Sequence, residues 1–182
     1  YLSGGLDSSL VAALMRPHMV ELHSFAAGLE GAPDLAAARM VARALDTTHH
    51  ELVYTPADVV RMVPEVVRCI ESFDAPLVRS AVPMYLVSGL AAQHVKVVFS
   101  GEGADELFAG YHYLHDDDGG ERDGDLKDEL HRITLRLQDT NLQRADRASM
   151  AHGLEARVPF LDLDLVRYAA RLPEQVLRPS DG

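Results

Sequence analysis

Residues 3–9 combine small, hydroxylated and acidic side chains in a pattern suited to phosphate chemistry. The run reads Ser3-Gly4-Gly5-Leu6-Asp7-Ser8-Ser9. Two glycines let the backbone approach a ligand closely, and serine hydroxyls with the free N–H groups of a following helix form a cradle for an anion. Asp7 fits such a cradle when a divalent cation bridges its carboxylate to the phosphate. The run therefore predicts a phosphate or pyrophosphate site, against the plainer alternative of a strand–turn–helix with serine caps.

A second run, residues 100–111, places three acidic residues within five positions directly after an apolar segment. It reads Ser100-Gly101-Glu102-Gly103-Ala104-Asp105-Glu106-Leu107-Phe108-Ala109-Gly110-Tyr111. Like charges held so close together at a buried strand end repel strongly, which favours different tasks for different carboxylates. We expect Asp105 to face Asp7 and share its metal ion, and Glu102 to act on the substrate. A solvated acidic cap is the alternative.

The elements that would position these runs alternate along residues 1–113. Apolar segments that favour strands lie at 1–2, 20–27, 49–54 and 95–99, and helical periodicity covers 8–15, 56–71, 80–94 and a helix that Asp34 would cap. Strands too apolar to face water, separated by helices, indicate an α/β fold with a parallel sheet covered on both faces. In a doubly wound sheet of this kind, ligands bind outside the carboxyl ends of the strands, where both runs lie.

The remainder of the chain has a different character. After Gly110 we predict helices only, at about 126–139, 142–151 and 164–170, so residues 126–182 form a helical C-terminal part behind an α/β core at 1–113. The joining segment 114–125 is predicted to be a solvated acidic loop, because its acids lack the D-x-D-x-D-G order of a calcium-binding EF-hand. The acidic residues in and just after this loop are Asp116, Asp117, Asp118, Glu121, Asp123, Asp125, Asp128 and Glu129.

Three residues at the start of this loop have the spacing of metal ligands. His112 and His115, with Asp116, have the separation of ligands on one helix face. We favour a surface or packing role for the three side chains, because the sequence offers no further ligand beside them.

Composition limits the classes of function. The chain has 182 residues and a net charge of −11, a charge that disfavours nucleic acid and anionic membranes as partners. No apolar stretch is long enough to span a membrane, and Cys69 has no second cysteine to pair with, so we expect a cytoplasmic protein. No Gly-Lys pair occurs, which excludes a Walker loop and leaves backbone dipoles, magnesium, arginine or a lysine outside this sequence to meet phosphate charge.

The first run resembles the pyrophosphate motif of the N-type ATP pyrophosphatases, and the second narrows the resemblance to the synthetase domain of glutamine-dependent asparagine synthetases. Further stretches agree along almost the whole chain. They are Leu22-His23-Ser24-Phe25-Ala26-Ala27-Gly28-Leu29, Ile70-Glu71-Ser72-Phe73-Asp74, Arg79, Pro83-Met84-Tyr85-Leu86, Arg144-Ala145-Asp146-Arg147 and the stretch Met150-Ala151-His152-Gly153-Leu154-Glu155-Ala156-Arg157-Val158-Pro159-Phe160-Leu161-Asp162.

This resemblance implies a fold of the ATP pyrophosphatase, or adenine nucleotide alpha hydrolase-like, type and a carbon–nitrogen ligase that forms AMP and pyrophosphate. The side-chain carboxylate of aspartate would be activated as an adenylate, which ammonia derived from glutamine converts to asparagine. The implied cofactors are ATP and Mg²⁺. The implied partner is an N-terminal glutaminase domain, and the resemblance leaves a homodimer open.

The resemblance also assigns roles to single residues. Asp7 and Asp105 match the acids that hold magnesium, Glu102 matches a glutamate tied to adenylate formation, and Arg79 matches an arginine that helps to hold the adenylate. A carboxylate attacking the α-phosphate builds negative charge, which magnesium and a guanidinium would stabilise. Leu2, Ala27, Ser100 and Gly101 match positions that hold adenosine, and the remaining cradle residues are Ser3, Gly4, Gly5, Ser8 and Ser9.

Three departures from the family pattern keep alternatives open. Pro76-Leu77 stands where asparagine synthetases commonly carry Thr-Thr, so a related synthetase acting on another carboxylate, such as a β-lactam-forming one, is the first alternative. The sequence holds no glutaminase domain, and it stops at Gly182, before a functionally important lysine of the family, so we expect an inactive fragment of a synthetase. A nucleotide-binding module without turnover is the second alternative, and the presence of Glu102 and Arg79 argues against it.

Two expectations concern the arginines. Arg79 is predicted to follow an extended segment at 76–78, from which its guanidinium would swing over the same site as Glu102. The other arginines near the helical part are expected to form internal ion pairs rather than phosphate contacts. The expected pairs join Arg144, Arg147 and Arg157 to Asp146, Glu155 or Asp162.

Overall fold

The computed structural model describes residues 1–115 and 125–178, in which parallel strands alternate with helices as the sequence predicts. The strands are β1 (His23–Leu29), β2 (Thr48–Tyr54), β3 (Val97–Phe99) and β4 (Glu155–Arg157). The α-helices are α1 (Leu6–Met15), α2 (Pro33–Ala44), α3 (Pro56–Ile70), α4 (Ala75–Ala91), α5 (Ala104–Phe108), α6 (Leu126–Arg136), α7 (Asn141–Met150), α8 (Leu163–Ala169) and α9 (Glu174–Leu177). Short 3₁₀ turns lie at Arg16–His18, His112–Leu114, Leu137–Asp139 and Pro159–Leu161.

The first two residues join two pairs of parallel strands. β1 pairs with β2, with His23 opposite Thr48, and β3 pairs with β4. The Leu2 N–H donates to the Phe25 C=O across 2.9 Å, and the Tyr1 amino group donates to the Phe99 C=O across 2.6 Å. The lateral order is therefore β2, β1, residues 1–2, β3 and β4, and residues 1–2, where a short strand was expected, lie at the centre without forming a strand of their own.

Helices cover both faces of this arrangement because neighbouring residues of a strand point to opposite sides. Ala26 packs with Leu2 and with Leu35 and Ala38 of α2 on one face. Phe25, its neighbour in β1, packs on the other face in a cluster with Val87, Ala91, Val98 and Leu154. Each large apolar side chain buried in this way stabilises the fold by about 1.5–3 kcal/mol.

Local signals explain where two of the helices begin. Thr55 and Asp58 form a reciprocal capping box at the start of α3, and Pro56 occupies its first position. The Asp74 carboxylate accepts the Leu77 N–H, so α4 begins at Ala75 with Pro76 in its first turn. The departure from the family's Thr-Thr therefore falls within a helix start that tolerates proline.

The structure corrects three expectations from the sequence. The segment at 76–78 is not extended, and Arg79 lies within α4, because Asp74 caps the helix earlier than the predicted start at Ser80. Asp34 does not cap α2: Ala32 holds the cap position and Asp34 lies in the first turn. The part beyond Gly110 is not wholly helical, because β4 forms there and pairs with β3. The boundaries proposed at 113 and 125 stay a prediction.

The predictions for the acidic loop fall largely outside the described residues. These are the solvated loop and the calcium alternative at Asp116, Asp117, Asp118, Glu121 and Asp123, and the role of Asp116 beside His112 and His115. Asp125 is described and caps α6 by accepting the Lys127 N–H. Over residues 1–115 and 125–178, no three His, Cys, Asp or Glu side chains are placed to hold a metal ion. No helix within these ranges is long and apolar enough to cross a membrane.

Candidate active site

Most of the residues predicted to act together line one cavity. It has a volume of about 450 Å³ and lies between the loop before α1 and the loop that joins β3 to α5. Pockets that take small molecules commonly measure about 300–1,000 Å³. The predicted residues that line it are Leu2, Ser3, Gly5, Asp7, Ser8, Ala27, Ser100, Gly101, Glu102 and Asp105.

The first loop turns tightly and presents its polar groups to the cavity. Gly4 has φ +83°, and a Cβ at this position would lie 2.5 Å from the backbone of Ala37, so both its conformation and its surroundings require glycine. The Ser3 and Ser8 hydroxyls lie 3.0 Å apart. No side chain of the described residues caps the first turn of α1, which follows Gly5, so these N–H groups keep their capacity to bind an anion.

Two of the predicted cradle residues support the loop without lining the cavity. Gly4 packs against α2, as its contact with Ala37 shows. The Ser9 hydroxyl donates to the Gly5 C=O across 2.7 Å and so braces the first turn of α1.

The second loop touches the first at Gly101. A Cβ on Gly101 would lie 3.1 Å from both the Asp7 Cβ and the Ser8 nitrogen, closer than most such contacts. Gly103 has φ +96°, and a Cβ at this position would lie 2.5 Å from the Leu161 side chain. The two runs singled out in the sequence are therefore in direct contact, at a point where a Cβ would fit only if the loops moved apart slightly.

Two carboxylates of these loops, those of Asp7 and Asp105, line the cavity. Burial raises the pKa of Asp7 first, and the negative charge of Asp105 raises it further. Burial also raises the pKa of Asp105, whose Oδ1 lies so close to Gly110 that a Cβ there would overlap it at 2.0 Å. Neither carboxylate has a cationic partner among the described residues, so the pair suits a divalent cation, which prefers oxygen ligands.

Glu102 forms an ion pair that the sequence did not predict. Its Oε1 accepts a hydrogen bond from Arg144 Nη2 across 2.6 Å, and the side chains are 16% and 14% exposed, respectively. Burial raises the pKa of Glu102, and the opposing attraction of Arg144 does not cancel this effect. Arg144 Nε is buried without a partner in the described residues, so this guanidinium keeps an unused donor beside the cavity.

Of the ion pairs predicted for the three arginines, the partners of Arg144 and Arg147 were wrong and that of Arg157 is confirmed. Arg147 pairs with Glu71 at 3.3 Å instead of an acid of the helical part, and Arg144 likewise takes a different partner from those predicted. Arg157 pairs with Glu155 at 2.7 Å, as expected.

A buried polar cluster beside the site was missed from the sequence. Glu106 is 4% exposed, lines the cavity, and accepts hydrogen bonds from the Tyr111 hydroxyl at 2.5 Å and from Asn141 Nδ2 at 3.0 Å. Burial and the adjacent Glu106 raise the pKa of Tyr111. Glu106 is the third acidic residue of the second run, so the sequence did carry a signal for it. Nothing in the sequence marks Asn141 as its partner.

Arg79 is not brought together with the other predicted residues. Its side chain is exposed on α4 and does not line the cavity, although the next residue, Ser80, does. No hydrogen bond or ion pair joins its guanidinium to the described part of the chain.

Comparison with known proteins adds an independent finding. A family model described as asparagine synthase matches residues 1–125 and 118–179. The chain is 42% identical over 198 aligned residues to the asparagine synthetase [glutamine-hydrolyzing] of Triphysaria versicolor, and the match covers 100% of this chain and 33% of that relative. The proteins of the same name from Gallus gallus and Rattus norvegicus are 42% and 41% identical over 189 residues, again with 100% and 33% covered. The chain thus spans about a third of the length of these relatives.

Proposed function

This chain belongs to the asparagine synthase family, and on that premise we propose that it is the ATP-using synthetase part of a glutamine-hydrolysing asparagine synthetase. In the proposed reaction, the side-chain carboxylate of aspartate attacks the α-phosphate of ATP and pyrophosphate leaves. Ammonia then attacks the activated carbonyl carbon and AMP leaves, which yields asparagine. The ammonia would come from glutamine, hydrolysed in an N-terminal glutaminase domain of the longer protein.

The observation that carries this proposal is the contact of Gly101 with Asp7 and Ser8. It brings a loop suited to pyrophosphate and a loop rich in carboxylates to one cavity. Phosphate chemistry needs these two features side by side, because displacement at phosphorus depends on positioning and on neutralising charge.

The placement of ATP follows from the shape of the cavity. Leu2 and Ala27 belong to the central part of the sheet, and Ser100 and Gly101 follow β3, so these four residues would hold adenosine. The triphosphate would then extend toward the start of α1. There the uncapped N–H groups and the serine hydroxyls would bind the pyrophosphate that leaves.

Asp7 and Asp105 fit a magnesium ion by the chemistry of their donors. Each raised pKa reflects a charge that burial disfavours and that the other residues of the described chain do not neutralise. Magnesium typically takes one or two carboxylates with substrate phosphates and water as its remaining ligands. When bound, the ion would neutralise the charge of the pyrophosphate group; the two carboxylates would fix its position.

Glu102 is the residue we assign to the acceptor. Its carboxylate lines the cavity, as does that of Asp105, and Arg144 opposes, without cancelling, the burial effect that raises the pKa of Glu102. Arg79 would join it only after its side chain swings from the exposed face of α4 toward Ser80. A guanidinium in that position would bind a carboxylate or phosphate through two parallel hydrogen bonds.

The fold that we propose for this site is the doubly wound sheet of the ATP pyrophosphatase type. Its support is the lateral order of the strands, with Tyr1 and Leu2 between β1 and β3, and the helices on both faces of β1. Both loops of the site then lie at the carboxyl ends of neighbouring parallel strands, where such sheets bind ligands.

The test measures pyrophosphate release from ATP by the full-length protein with a panel of amino acids. We expect aspartate to stimulate release and asparagine to form when ammonia or glutamine is present. Asp105→Asn should abolish both with the fold unchanged by circular dichroism, and Asp139→Asn, at an exposed position, is the matched control. Stimulation by another carboxylic acid instead of aspartate would assign the site to a different acceptor and overturn the proposal.

A further inference from the structure

Glu106 is the one acid of the second run that the proposed reaction leaves without a task. Asp105 is assigned to the metal ion and Glu102 to the reacting carboxylate of the acceptor. Glu106 lines the same cavity and is only 4% exposed. A carboxylate buried this deeply disfavours the folded state unless another group meets its charge. The cavity must therefore hold, or receive, a partner for this side chain.

The hydrogen bonds to the Glu106 carboxylate come from neutral groups and converge on one oxygen. The Tyr111 hydroxyl donates to Oε1 across 2.5 Å, and Asn141 Nδ2 donates to the same atom across 3.0 Å. The second oxygen, Oε2, accepts no hydrogen bond from the described residues, and none of their cationic side chains forms an ion pair with this carboxylate. These donors thus orient the carboxylate without neutralising it, and Oε2 stays available to a ligand.

Partners on one helix hold Glu106 beside Glu102. Asn141 donates to Glu106, and Arg144, three positions further along α7, donates to Glu102. Side chains with this spacing are neighbours on a helix surface, with Cβ atoms about 5–6 Å apart. The two carboxylates therefore lie next to each other along one face of α7, and within the described part of the chain only Glu102 has a cation opposite it.

An amino acid bound as the acceptor would bring the positive charge that this position lacks. In aspartate, the carbon that bears the ammonium group is separated from the reacting carboxyl carbon by two carbon–carbon bonds of about 1.5 Å each. When the reacting carboxylate lies at Glu102, an ammonium group at that separation reaches a carboxylate about one helical turn away. An ammonium group has only donors and a carboxylate only acceptors, so Glu106 Oε2 and the ammonium group would form a charge-assisted hydrogen bond.

We propose that Glu106, held in place by Tyr111 and Asn141, binds the ammonium group of the acceptor and so makes the site specific for an amino acid over a carboxylic acid without the amino group. This inference rests on the proposed reaction, because it places the acceptor in the cavity beside Glu102. A site built around one buried charge discriminates strongly, since an analogue without the partner group leaves that charge unpaired.

The first arm of the test compares acceptors that differ only in the group on the carbon that bears the ammonium in aspartate. Pyrophosphate release by the full-length protein with ATP and magnesium is measured with aspartate, malate and succinate, which carry an ammonium, a hydroxyl and a hydrogen there. We expect kcat/KM for aspartate to exceed that for each of the other two acids by about tenfold or more. Equal values for malate and aspartate would overturn the proposal, because a neutral hydroxyl does not need a carboxylate partner. This arm uses the wild-type protein, so it stands even if a variant fails to fold.

The second arm uses Glu106→Gln, which removes the charge and keeps the shape of the side chain. The amide oxygen of glutamine can still accept from Tyr111 and Asn141, while its NH₂ group replaces Oε2 by a donor that repels an ammonium group. We expect kcat/KM for aspartate to fall by about 10–100-fold, with the value for succinate and the KM for ATP unchanged. The matched control is Glu129→Gln, because Glu129 also accepts from a tyrosine hydroxyl, that of Tyr113, but does not line the cavity.

The outcomes separate the role of Glu106 from the proposed reaction. Stimulation by aspartate with the same aspartate-to-succinate ratio in Glu106→Gln and the wild type would overturn the role of Glu106 and leave the reaction intact. A changed magnesium dependence with that ratio unchanged would overturn it in favour of a metal ligand. Stimulation by a different amino acid would overturn aspartate as the acceptor; that amino acid should still exceed its analogue without the amino group, by a ratio that Glu106→Gln lowers.

Discussion

Arg144 on α7 donates from Nη2 to Glu102 Oε1 across 2.6 Å, and the two residues are 42 positions apart in the chain. The helical part of the chain therefore supplies the counter-ion for an acid that lines the candidate site. Burial raises the pKa of Glu102, and Glu106 and Asp105 raise it further, so Arg144 is the group that opposes protonation. The charge state of the acid on the β3–α5 loop thus depends on the position of α7.

Replacing Arg144 by methionine should make Glu102 harder to ionise. With the guanidinium removed, burial and the two neighbouring carboxylates act unopposed on its pKa. We expect the acid limb of the pH–rate profile for pyrophosphate release to move upward by about one pH unit or more. Arg147→Met is the control, because its partner Glu71 is 74% exposed and lies outside the cavity. An unmoved profile would mean that Glu102 does not titrate in the reaction.

Replacing Asp105 by asparagine should stabilise the fold slightly while removing the metal site. The folded-state pKa of Asp7 and that of Asp105 both lie above the ordinary value of 3.8, so the folded chain holds more protons than the unfolded chain in that range. Stability therefore falls as the pH rises from about 4 through the raised values. Since both carboxylates still meet solvent, the variant should gain only about 0.5–1 kcal/mol at pH 7. Urea unfolding at pH 4 and pH 7 measures this gain.

Magnesium with pyrophosphate should make the wild-type chain more stable than Asp105→Asn. The pair of ligands should raise the thermal midpoint of the wild-type chain and leave that of Asp105→Asn unchanged, because binding to the folded state alone stabilises it. An equal shift in both proteins would show that the ion binds elsewhere.

The two loops of the site could be predicted because their chemistry is local in sequence. Glycines, serines and acids within residues 3–9 and 100–105 specify tight turns and polar donors at strand ends, and the structure places these turns in contact through Gly101. The ion pair of Arg144 with Glu102 could not be predicted in this way. It depends on how α7 packs against α4 and β4, which periodicity does not specify.

The errors in secondary structure have a similar origin. β4 has only three residues, Glu155–Arg157, two of them charged, so its identity as a strand comes from pairing with β3 and not from its own composition. Arg79 was expected to follow an extended segment at 76–78, whereas proline in the first turn favours a helix start when Asp74 caps it. In both cases the tertiary partner or the cap outweighed the local propensity.

Two glycines of the site should respond differently to substitution by alanine. In Gly4→Ala the new Cβ would lie 2.5 Å from the Ala37 backbone, and the residue would have to keep a positive φ. We therefore expect a loss of about 3 kcal/mol or more in unfolding free energy. Gly101→Ala meets the Asp7 Cβ and the Ser8 nitrogen at 3.1 Å without a strained φ, so the two loops should move apart by a few tenths of an ångström. We expect a small loss of stability but about tenfold weaker ATP binding. Titration calorimetry and urea unfolding of both variants separate the two roles, and unchanged ATP affinity in Gly101→Ala would count against the loop contact as the ligand site.

The stacked imidazoles at the amino end of the sheet should make stability depend on pH. His50 and His94 have ring centroids 3.8 Å apart, and His23 Nδ1 lies 3.0 Å from His50 Nε2. Burial, and then the charges of His94 and His23, lower the pKa of His50 below 6.5, so the unfolded chain binds more protons in that window. The contribution of His50 to stability should therefore be complete above pH 6.5. It should fall as the pH drops through the lowered pKa of His50, by no more than about 0.5 kcal/mol after solvent screening. His50→Gln should reduce this loss between pH 7.5 and pH 5.5, whereas His131→Gln, at an exposed position, should not; identical slopes in all three proteins would contradict the assignment.

A substitution at Arg79 should distinguish a catalytic role of this residue from a structural one. Its side chain is exposed and makes no hydrogen bond or ion pair within the described residues, so Arg79→Lys should change the unfolding free energy by less than about 0.5 kcal/mol. A lysine keeps the charge but cannot form the two parallel hydrogen bonds that a guanidinium offers to a phosphate or carboxylate. If these bonds form mainly in the transition state, the full-length variant should lose about 10²–10³ in the rate of asparagine synthesis with ATP affinity preserved. Glu102→Gln should show a related pattern, with ATP still bound and no adenylate detected in a single turnover, because adenosine is held by other residues. Near-normal synthesis by Arg79→Lys would mean that the arginine remains on the exposed face of α4 throughout the reaction, and Arg144, with its unused Nε donor, would then be the guanidinium available to the acceptor.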